Sequence, residues 1–282
     1  MRVAILGTGG IGRGYAAFLA AAGHQPVLWS PTGQPPAVPL QATGAVSGPQ
    51  PAEVAADCAA ALRGAEVAII ATIANGHRAV MDAMAPHLHA GQVVVISSHC
   101  SFGALYLYRL LAARGVELPI AAWATTALTA KRRGADGVHI SGLRQRLDVA
   151  TLPQHLSDRG EATCQALFGD RFQRRDSLLA IMLSNLNPPA HMANMLLNLT
   201  RAEQGEDWPN YGSITPAVGR LIEALDAERL ALAAAFGVSV RTVTEHFVLS
   251  MASRPAASPP CPPPCTPSGR NCWGPRRWTP AS

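Results

Sequence analysis

The sequence predicts an α/β domain followed by an all-α domain. Three observations carry this. A short apolar strand, Arg2 to Leu6, runs directly into a glycine-rich turn and an alanine-rich helix. Apolar runs with strand character recur at 66–73 and 92–98 with helical stretches after each. From about residue 153 the pattern becomes helical. With 48% hydrophobic and 15% charged residues, the chain can bury a substantial core and is not a disordered protein. No apolar run reaches the roughly 18 residues that span a bilayer. The N-terminus enters a strand rather than a signal peptide, so the cytoplasm is expected. The six cysteines show no zinc spacing and read as free thiols, with no metal site. The net charge is +5, but residues 251–282 hold Arg254, Arg270, Arg276 and Arg277 and no acid, which leaves +1 for the rest. A nearly neutral body argues against nucleic acid as a partner, and no membrane partner is expected.

After the first strand stand Gly7-Thr8-Gly9-Gly10-Ile11-Gly12, then a helix from Tyr15 to Ala22 stopped by Gly23, then a second strand, Pro26 to Trp29. This is G-x-G-x-x-G in the strand–turn–helix setting that a dinucleotide site requires. Gly7 makes the tight turn, Gly9 admits a pyrophosphate to the backbone, and Gly12 lets the helix pack on the strand. The helix N-terminus then offers free N–H groups to the phosphates. The first domain is therefore expected to be a Rossmann domain holding NAD or NADP. The acid expected after the second strand is missing, and Trp29-Ser30-Pro31-Thr32 stands there. Ser30 and Thr32 are donors suited to a 2′-phosphate, a slight tilt toward NADP. Thr72 and Ser97, at the ends of the next two strands, should border the nicotinamide. His77, His87, His89 and His99 read mostly as surface or helix-end residues. Residues 31–51 read as a loop, and 118–126, 137–140 and 147–150 as further strands closing the same sheet.

In the second half, Ser184-Asn-Leu-Asn-Pro-Pro-Ala-His191 interrupts an apolar helical run and places a lone histidine in it. Imidazole transfers protons in both directions near neutrality, which makes His191 a candidate acid–base group. The plainer reading is a helix N-terminus, with Asn187 as cap, Pro188-Pro189 in the first turn and an ordinary histidine. Residues 214–236 predict one long amphipathic helix with Leu221, Leu225, Leu232 and Phe236 close to one face, stopped by Gly237. Glu228 and Arg229 are expected to form an ion pair. Read without chemistry, the region is a helical dimerisation domain, which leaves a homodimer open.

The stretch 184–191, with Met195 to Asn198, Trp208, Tyr211, Thr215-Pro216-Ala-Val218, Leu225-Asp226-Ala-Glu228-Arg229-Leu230 and Phe236-Gly237-Val238, resembles the octopine/nopaline (opine) dehydrogenase family. The resemblance runs from residue 1 to about 250. It implies a Rossmann domain over 1–152 joined to an all-α domain of 6-phosphogluconate dehydrogenase C-terminal-like type over 153–250, with the substrate between them. It implies NAD(P)H-dependent reductive condensation of an amino acid with an α-keto acid. By position His191 matches the family's catalytic histidine, Asn187 would orient the substrate or the nicotinamide amide, and Trp208 and Tyr211 would wall the pocket.

Residues 254–282 depart from the family. They hold nine of the 23 prolines and no hydrophobic period, so 251–282 reads as a disordered Pro-rich tail. The Arg and Asp with which the family orients histidine and substrate carboxylate are absent. Read one frame over, Trp278-Thr279 becomes Leu, Met or Val followed by Asp, because tryptophan has a single codon. A frameshifted or truncated family member with impaired activity is the resulting expectation. Two other readings stand beside it. A nucleotide-binding, non-catalytic remnant needs no His191. A ketopantoate or β-hydroxyacid-type reductase uses a lysine from the second domain, whereas the only lysine here is Lys131, ahead of that domain.

Overall fold

Strand β1 (Arg2–Leu6) buries Val3, Ala4, Ile5 and Leu6 completely, a run that only a strand covered on both faces accommodates. The computed structural model describes residues 1–31, 35–99 and 101–246. Helix α1 (Gly10–Ala21) follows, then β2 (Gln25–Trp29), β3 (Leu40–Gly44), β4 (Gly48–Gln50), β5 (Glu53–Val54) and α2 (Cys58–Leu62). Next come β6 (Val67–Ile70), α3 (His77–Met84), β7 (Val93–Ile96), α4 (Gly103–Ala112), β8 (Ile120–Trp123), β9 (Leu128–Arg133), β10 (Gly137–Leu143) and β11 (Leu147–Leu152). Helix α5 (Ser157–Phe168), β12 (Phe172–Arg174) and α6 (Leu178–Leu183) complete the first of two compact units, Met1–Asn185.

The main sheet of this unit has the order β12-β11-β8-β7-β6-β1-β2-β5, parallel throughout except where β11 runs against β8. Alternation along β1 sends Val3 and Ile5 into one core and Ala4 and Leu6 into the other. Tyr15, Leu19, Leu167 and Phe168 of α1 and α5 fill the first, with Trp123 edge-on to both Tyr15 and Phe168. Val80, Met84, Leu107 and Leu111 of α3 and α4 fill the second. Strands with helices on both faces make the doubly wound α/β arrangement that the first strand and turn predict.

Three sequence expectations need correction. Residues 137–140 do not close the main sheet. They belong to β10 of a separate four-stranded sheet, β4-β3-β10-β9, laid over α1. Residues 31–51 are not all loop, because β3 and β4 supply half of that sheet. Strand β3 buries only alternate residues, Leu40 and Ala42, and pairs with a strand almost a hundred residues away. The boundary expected at 152/153 is displaced to Asn185. Strand β12 pairs in parallel with β11 and α5 packs against β11, so 153–185 finishes the α/β unit.

The second unit begins at Leu186. A π-helical segment, Pro188–Met192, continues into α7 (Ala193–Leu197), then α8 (Leu199–Glu203) and α9 (Pro216–Ala235). Helix α9 starts where Thr215 accepts the Val218 N–H and Pro216 occupies a first-turn position. Its buried stripe is Val218, Ile222, Asp226, Arg229 and Ala233, while Leu232 and Phe236 are exposed. The expected apolar face is therefore rotated, because a buried ion pair takes two of its positions. That pair is Arg229 Nη2 to Asp226 Oδ1 at 2.6 Å, not Arg229 with Glu228, which is exposed. Asp226 Oδ2 also accepts the Val243 N–H at 2.9 Å and Arg229 donates to the Arg241 carbonyl, so both charges are satisfied. The expectations for 251–282, and the frameshift and impairment tied to them, lie outside the described residues.

His77 and His99, read from sequence as mostly surface or helix-end, are buried, His99 completely. His99 Nε2 accepts the Ala104 N–H at 3.0 Å, satisfying a free donor in the first turn of α4. Burial, aided by the charge of His77, pushes His99 down from 6.5 to about 4. Between those values the unfolded chain binds a proton that the folded chain refuses. The stabilisation is thus complete above about 6.5 and lost as pH falls toward about 4. The loss amounts to about 3 kcal/mol. His99→Gln keeps an acceptor for Ala104 without a titrating ring. Thermal melts over this pH range should show the variant losing less stability than the wild type. Parallel curves would remove His99 as the cause.

Candidate functional site

The glycine turn lies at the C-terminal end of β1. Gly7 has φ +143°, and its N–H donates to the Trp29 carbonyl at 2.7 Å, tying the ends of β1 and β2 together. A Cβ on Gly7 would meet the Ala71 carbonyl oxygen at 2.3 Å and the Thr72 nitrogen at 3.1 Å, so the main chain at Thr72 borders the turn. A Cβ on Gly12 would lie 1.9 Å from the Gly7 carbonyl oxygen, so only glycine lets α1 sit this low on the strand end. Gly9 differs. It occupies the N-cap of α1 with an ordinary extended backbone, and a Cβ there would touch nothing within 4 Å. Gly9, Gly10 and Ile11 keep part of their surface exposed, while Thr8 is buried. A low helix with an open N-terminus fits a dinucleotide diphosphate.

Ser30 follows β2 and is partly exposed; Thr32 lies outside the described residues. Ser97 is buried, and its hydroxyl is 2.6 Å from Tyr15 Oη, which accepts the Ala127 N–H at 2.9 Å. Tyr15 and Ser97 therefore share a buried hydrogen bond, in which either hydroxyl can donate.

Sequence reasoning missed the contribution of the second sheet. The main chain of 130–132 crosses directly over Gly10, with the Ala130 carbonyl oxygen 2.8 Å from a Cβ placed there. Leu128 and Ala130 face α1, and Arg132 is the next residue of the same row. Arg13 of α1 is buried and donates to Thr8 O at 2.9 Å and Ala135 O at 2.7 Å, pinning the β9–β10 turn beside the glycine turn. Burial and then the charge of Arg132 push Arg13 down, with Asp136 opposing. Among the described residues Arg132 is exposed, with no ion pair of its own. The signal in sequence is Lys131-Arg132-Arg133 before Gly134, legible only once the hairpin is known to cover the helix.

In the second unit, His191 lies in the π-helical segment and is half-buried. Pro188 and Pro189 open it without loss, since the first-turn N–H groups have no partner within a helix. Asn187 is not the cap expected: it already has helical angles, φ −60° and ψ −44°, and makes no capping hydrogen bond. It is exposed, four residues before His191. His191 Nδ1 is 3.2 Å from Asn210 Nδ2, and its ring lies 5.9 Å from that of Tyr211. Tyr211 is thus brought to the histidine. Trp208 instead has Arg201 over its ring at 5.6 Å, with Arg201 paired to Glu206 at 2.7 Å. Asn194 and Asn210, not singled out in the sequence, and Asn198, named there only as part of the resemblance, stand behind His191.

Residues 174–253 match the family model described as NAD/NADP octopine/nopaline dehydrogenase, alpha-helical domain. Residues 3–99 match the ketopantoate reductase PanE/ApbA model, an α/β domain of the kind seen here. The opine dehydrogenase of Arthrobacter sp. (strain 1C) is 27% identical over 262 residues, covering 90% of this chain and 73% of that protein. Octopine dehydrogenase in complex with NADH and agmatine shares the fold with TM-score 0.67 and 15% identity, over 87% of this chain and 68% of that one. Yersinopine dehydrogenase with NADP+ bound gives TM-score 0.68 and 18% identity, over 86% and 66%. About a third of each of those two chains thus has no counterpart here. Among the described residues no helix is long and apolar enough to cross a membrane, and no group of three or more His, Cys, Asp or Glu is placed to hold a metal.

The two glycines separate binding from folding. Gly9→Ala should leave the melting temperature unchanged and weaken NAD(P)H binding about tenfold or more, since the added methyl fills only the space above the turn. Gly12→Ala should destabilise the unit outright. Calorimetric titration with melts on the same samples reads both. Unweakened binding by Gly9→Ala would move the dinucleotide elsewhere.

Proposed function

We propose that this chain is an NAD(P)-dependent oxidoreductase of opine dehydrogenase type, which condenses an amino acid with an α-keto acid reductively. The observation that carries this is the pairing, in one chain, of an open glycine turn at β1 with a helical unit of this family that presents His191. The similarity to an opine dehydrogenase over 90% of the chain supports the reaction class. Similar folds in complexes with NADH and with NADP+ support either dinucleotide.

Overall, keto acid, amino acid, NAD(P)H and a proton give a secondary amine, water and NAD(P)+. The bound dinucleotide supplies the hydride. The turn Gly7–Gly12 would hold its diphosphate through backbone N–H groups, with Thr72 beside it. Arg132 would add a cation to the phosphates, and Ser30 is the donor nearest to where a ribose 2′-substituent is expected. The amine adds to the keto carbon and one of its protons passes to the former carbonyl oxygen, giving a carbinolamine; that hydroxyl takes a second proton and leaves as water, and the carbon of the resulting C=N bond receives the hydride. His191 manages the second proton, Asn187 orients the substrate and Tyr211 walls it. Trp208 keeps its assignment as a pocket wall, with Arg201 on one face. We retain impaired turnover as expected from the sequence. Exposed Met195, Leu196 and Leu199 support a homodimer through the helical unit.

NAD(P)H oxidation by the full chain should require both an α-keto acid and an amino acid, at a slow rate. His191→Ala should lower it by ~10²-fold or more while leaving dinucleotide affinity unchanged. Turnover indifferent to His191, or supported by keto acid alone, would favour a hydroxyacid-type reductase. Binding without any turnover would favour a non-catalytic remnant.

A further inference from the structure

The hydrogen bonds behind His191 have a fixed direction. Asn198 Nδ2 lies 2.9 Å from the main-chain carbonyl of Asn194, and Asn194 Nδ2 lies 2.6 Å from the main-chain carbonyl of Asn210. A carbonyl oxygen only accepts, so these two contacts settle which way both amides face. The same Asn198 Nδ2 then reaches Asn194 Oδ1 at 3.1 Å, and the same Asn194 Nδ2 reaches Asn210 Oδ1 at 2.6 Å. With Oδ1 of Asn210 spent on Asn194, its Nδ2 is the atom facing His191 Nδ1, at 3.2 Å. An amide NH2 only donates. Nδ1 of the ring must therefore accept, and the neutral ring carries its proton on Nε2.

Burial makes this order hard to reverse. Asn194 and Asn198 are almost wholly buried. Turning the Asn210 amide over would set its NH2 against that of Asn194 inside the protein, leaving two donors opposed and an acceptor lost. Asn210 itself is exposed, so the chain of amides runs from the interior to the surface and ends on the imidazole.

We propose that Asn210 is a positioning residue. Anchored through Asn194 and Asn198, it holds His191 as the Nε2–H tautomer, so that the histidine meets the keto acid as a hydrogen-bond donor rather than as a base. This rests on His191 being the group that faces substrate. In the addition step, the amine nitrogen forms its bond to the keto carbon and the carbonyl π pair moves to oxygen. Nε2–H lies ready to stabilise that oxygen as charge grows on it. A ring with its proton on Nδ1 would instead present a lone pair to the carbonyl oxygen and repel it. In this addition step the neutral ring acts by hydrogen bonding alone; the proton that the departing oxygen takes belongs to the later loss of water.

Nitrogen NMR of the full chain labelled at the histidine ring nitrogens tests this without turnover. The His191 signals are identified by their loss in His191→Gln. In the wild type at neutral ring charge, Nδ1 should show the shift of an unprotonated nitrogen and Nε2 that of a protonated one. Asn210→Asp replaces the donor with an acceptor and should exchange the two shifts. Asn210→Ser, which shortens the side chain, should give a mixture. Both changes are at an exposed position and should leave the fold intact, read by circular dichroism. A wild-type ring protonated on Nδ1, or an Nε2–H signal unmoved by Asn210→Asp, overturns the proposal. The tautomer can be right while turnover is absent, and turnover can be present with the other tautomer, so the failure of one reading is distinguishable from failure of the other.

Discussion

The approach of α1 to the end of β1 is the constraint on which the first unit depends. With the Gly7 carbonyl oxygen 1.9 Å from where a Cβ of residue 12 would stand, the helix lies lower on the sheet than any side chain permits. That position aims the helix N-terminus past the strand end. It also brings Tyr15 into the core, where it meets Ser97 and the Ala127 N–H. The loss of solvent there pushes the Tyr15 phenol up to about 12, so it stays neutral and serves as a fixed hydrogen-bonding post. The second sheet closes over the helix from outside, and Arg13 ties its turn to Thr8.

The helical unit is organised by polar contacts more than by its apolar stripe. Asp226 and Arg229 hold the 241–243 segment against α9 through main-chain hydrogen bonds. Asn194 and Asn198 occupy positions that a purely hydrophobic packing would give to leucine. Buried polar groups of this kind must be matched partner for partner, which fixes the arrangement more narrowly than packing alone. At His191 that narrowness becomes chemistry, because a ring nitrogen inherits its role from the last amide in the row. The histidine and the glycine turn are thus prepared independently, each by contacts within its own unit.

Much of this was legible in the sequence, and the reasons are local. The glycine turn declares itself because strand, turn and helix are consecutive, and the strands at 66–73 and 92–98 because parallel strands are apolar without interruption. The helical region after 186 and its family resemblance are carried by motifs that lie within a few residues of each other. What failed is non-local. Strands β3 and β4 hide in a Pro-rich stretch because their partner β10 lies far along the chain. The boundary at 185 was obscured because α5 looks like any other helix until β12 is seen to join the sheet. The α9 face differs because Asp226, rather than Glu228, pairs with Arg229 and takes a place in the buried stripe. Asn210 carries no mark of its own, since its meaning comes from two residues a dozen or more positions earlier.

Following the hydride itself tests reductive condensation directly. The full chain would be incubated with NADH or NADPH deuterated at the transferable position of the nicotinamide, with pyruvate and a set of amino acids, and the products analysed by mass spectrometry. Deuterium is expected on the carbon of a new secondary amine, bonded to the amino acid nitrogen. Deuterium in a 2-hydroxy acid, or in no product at all, would contradict reductive condensation.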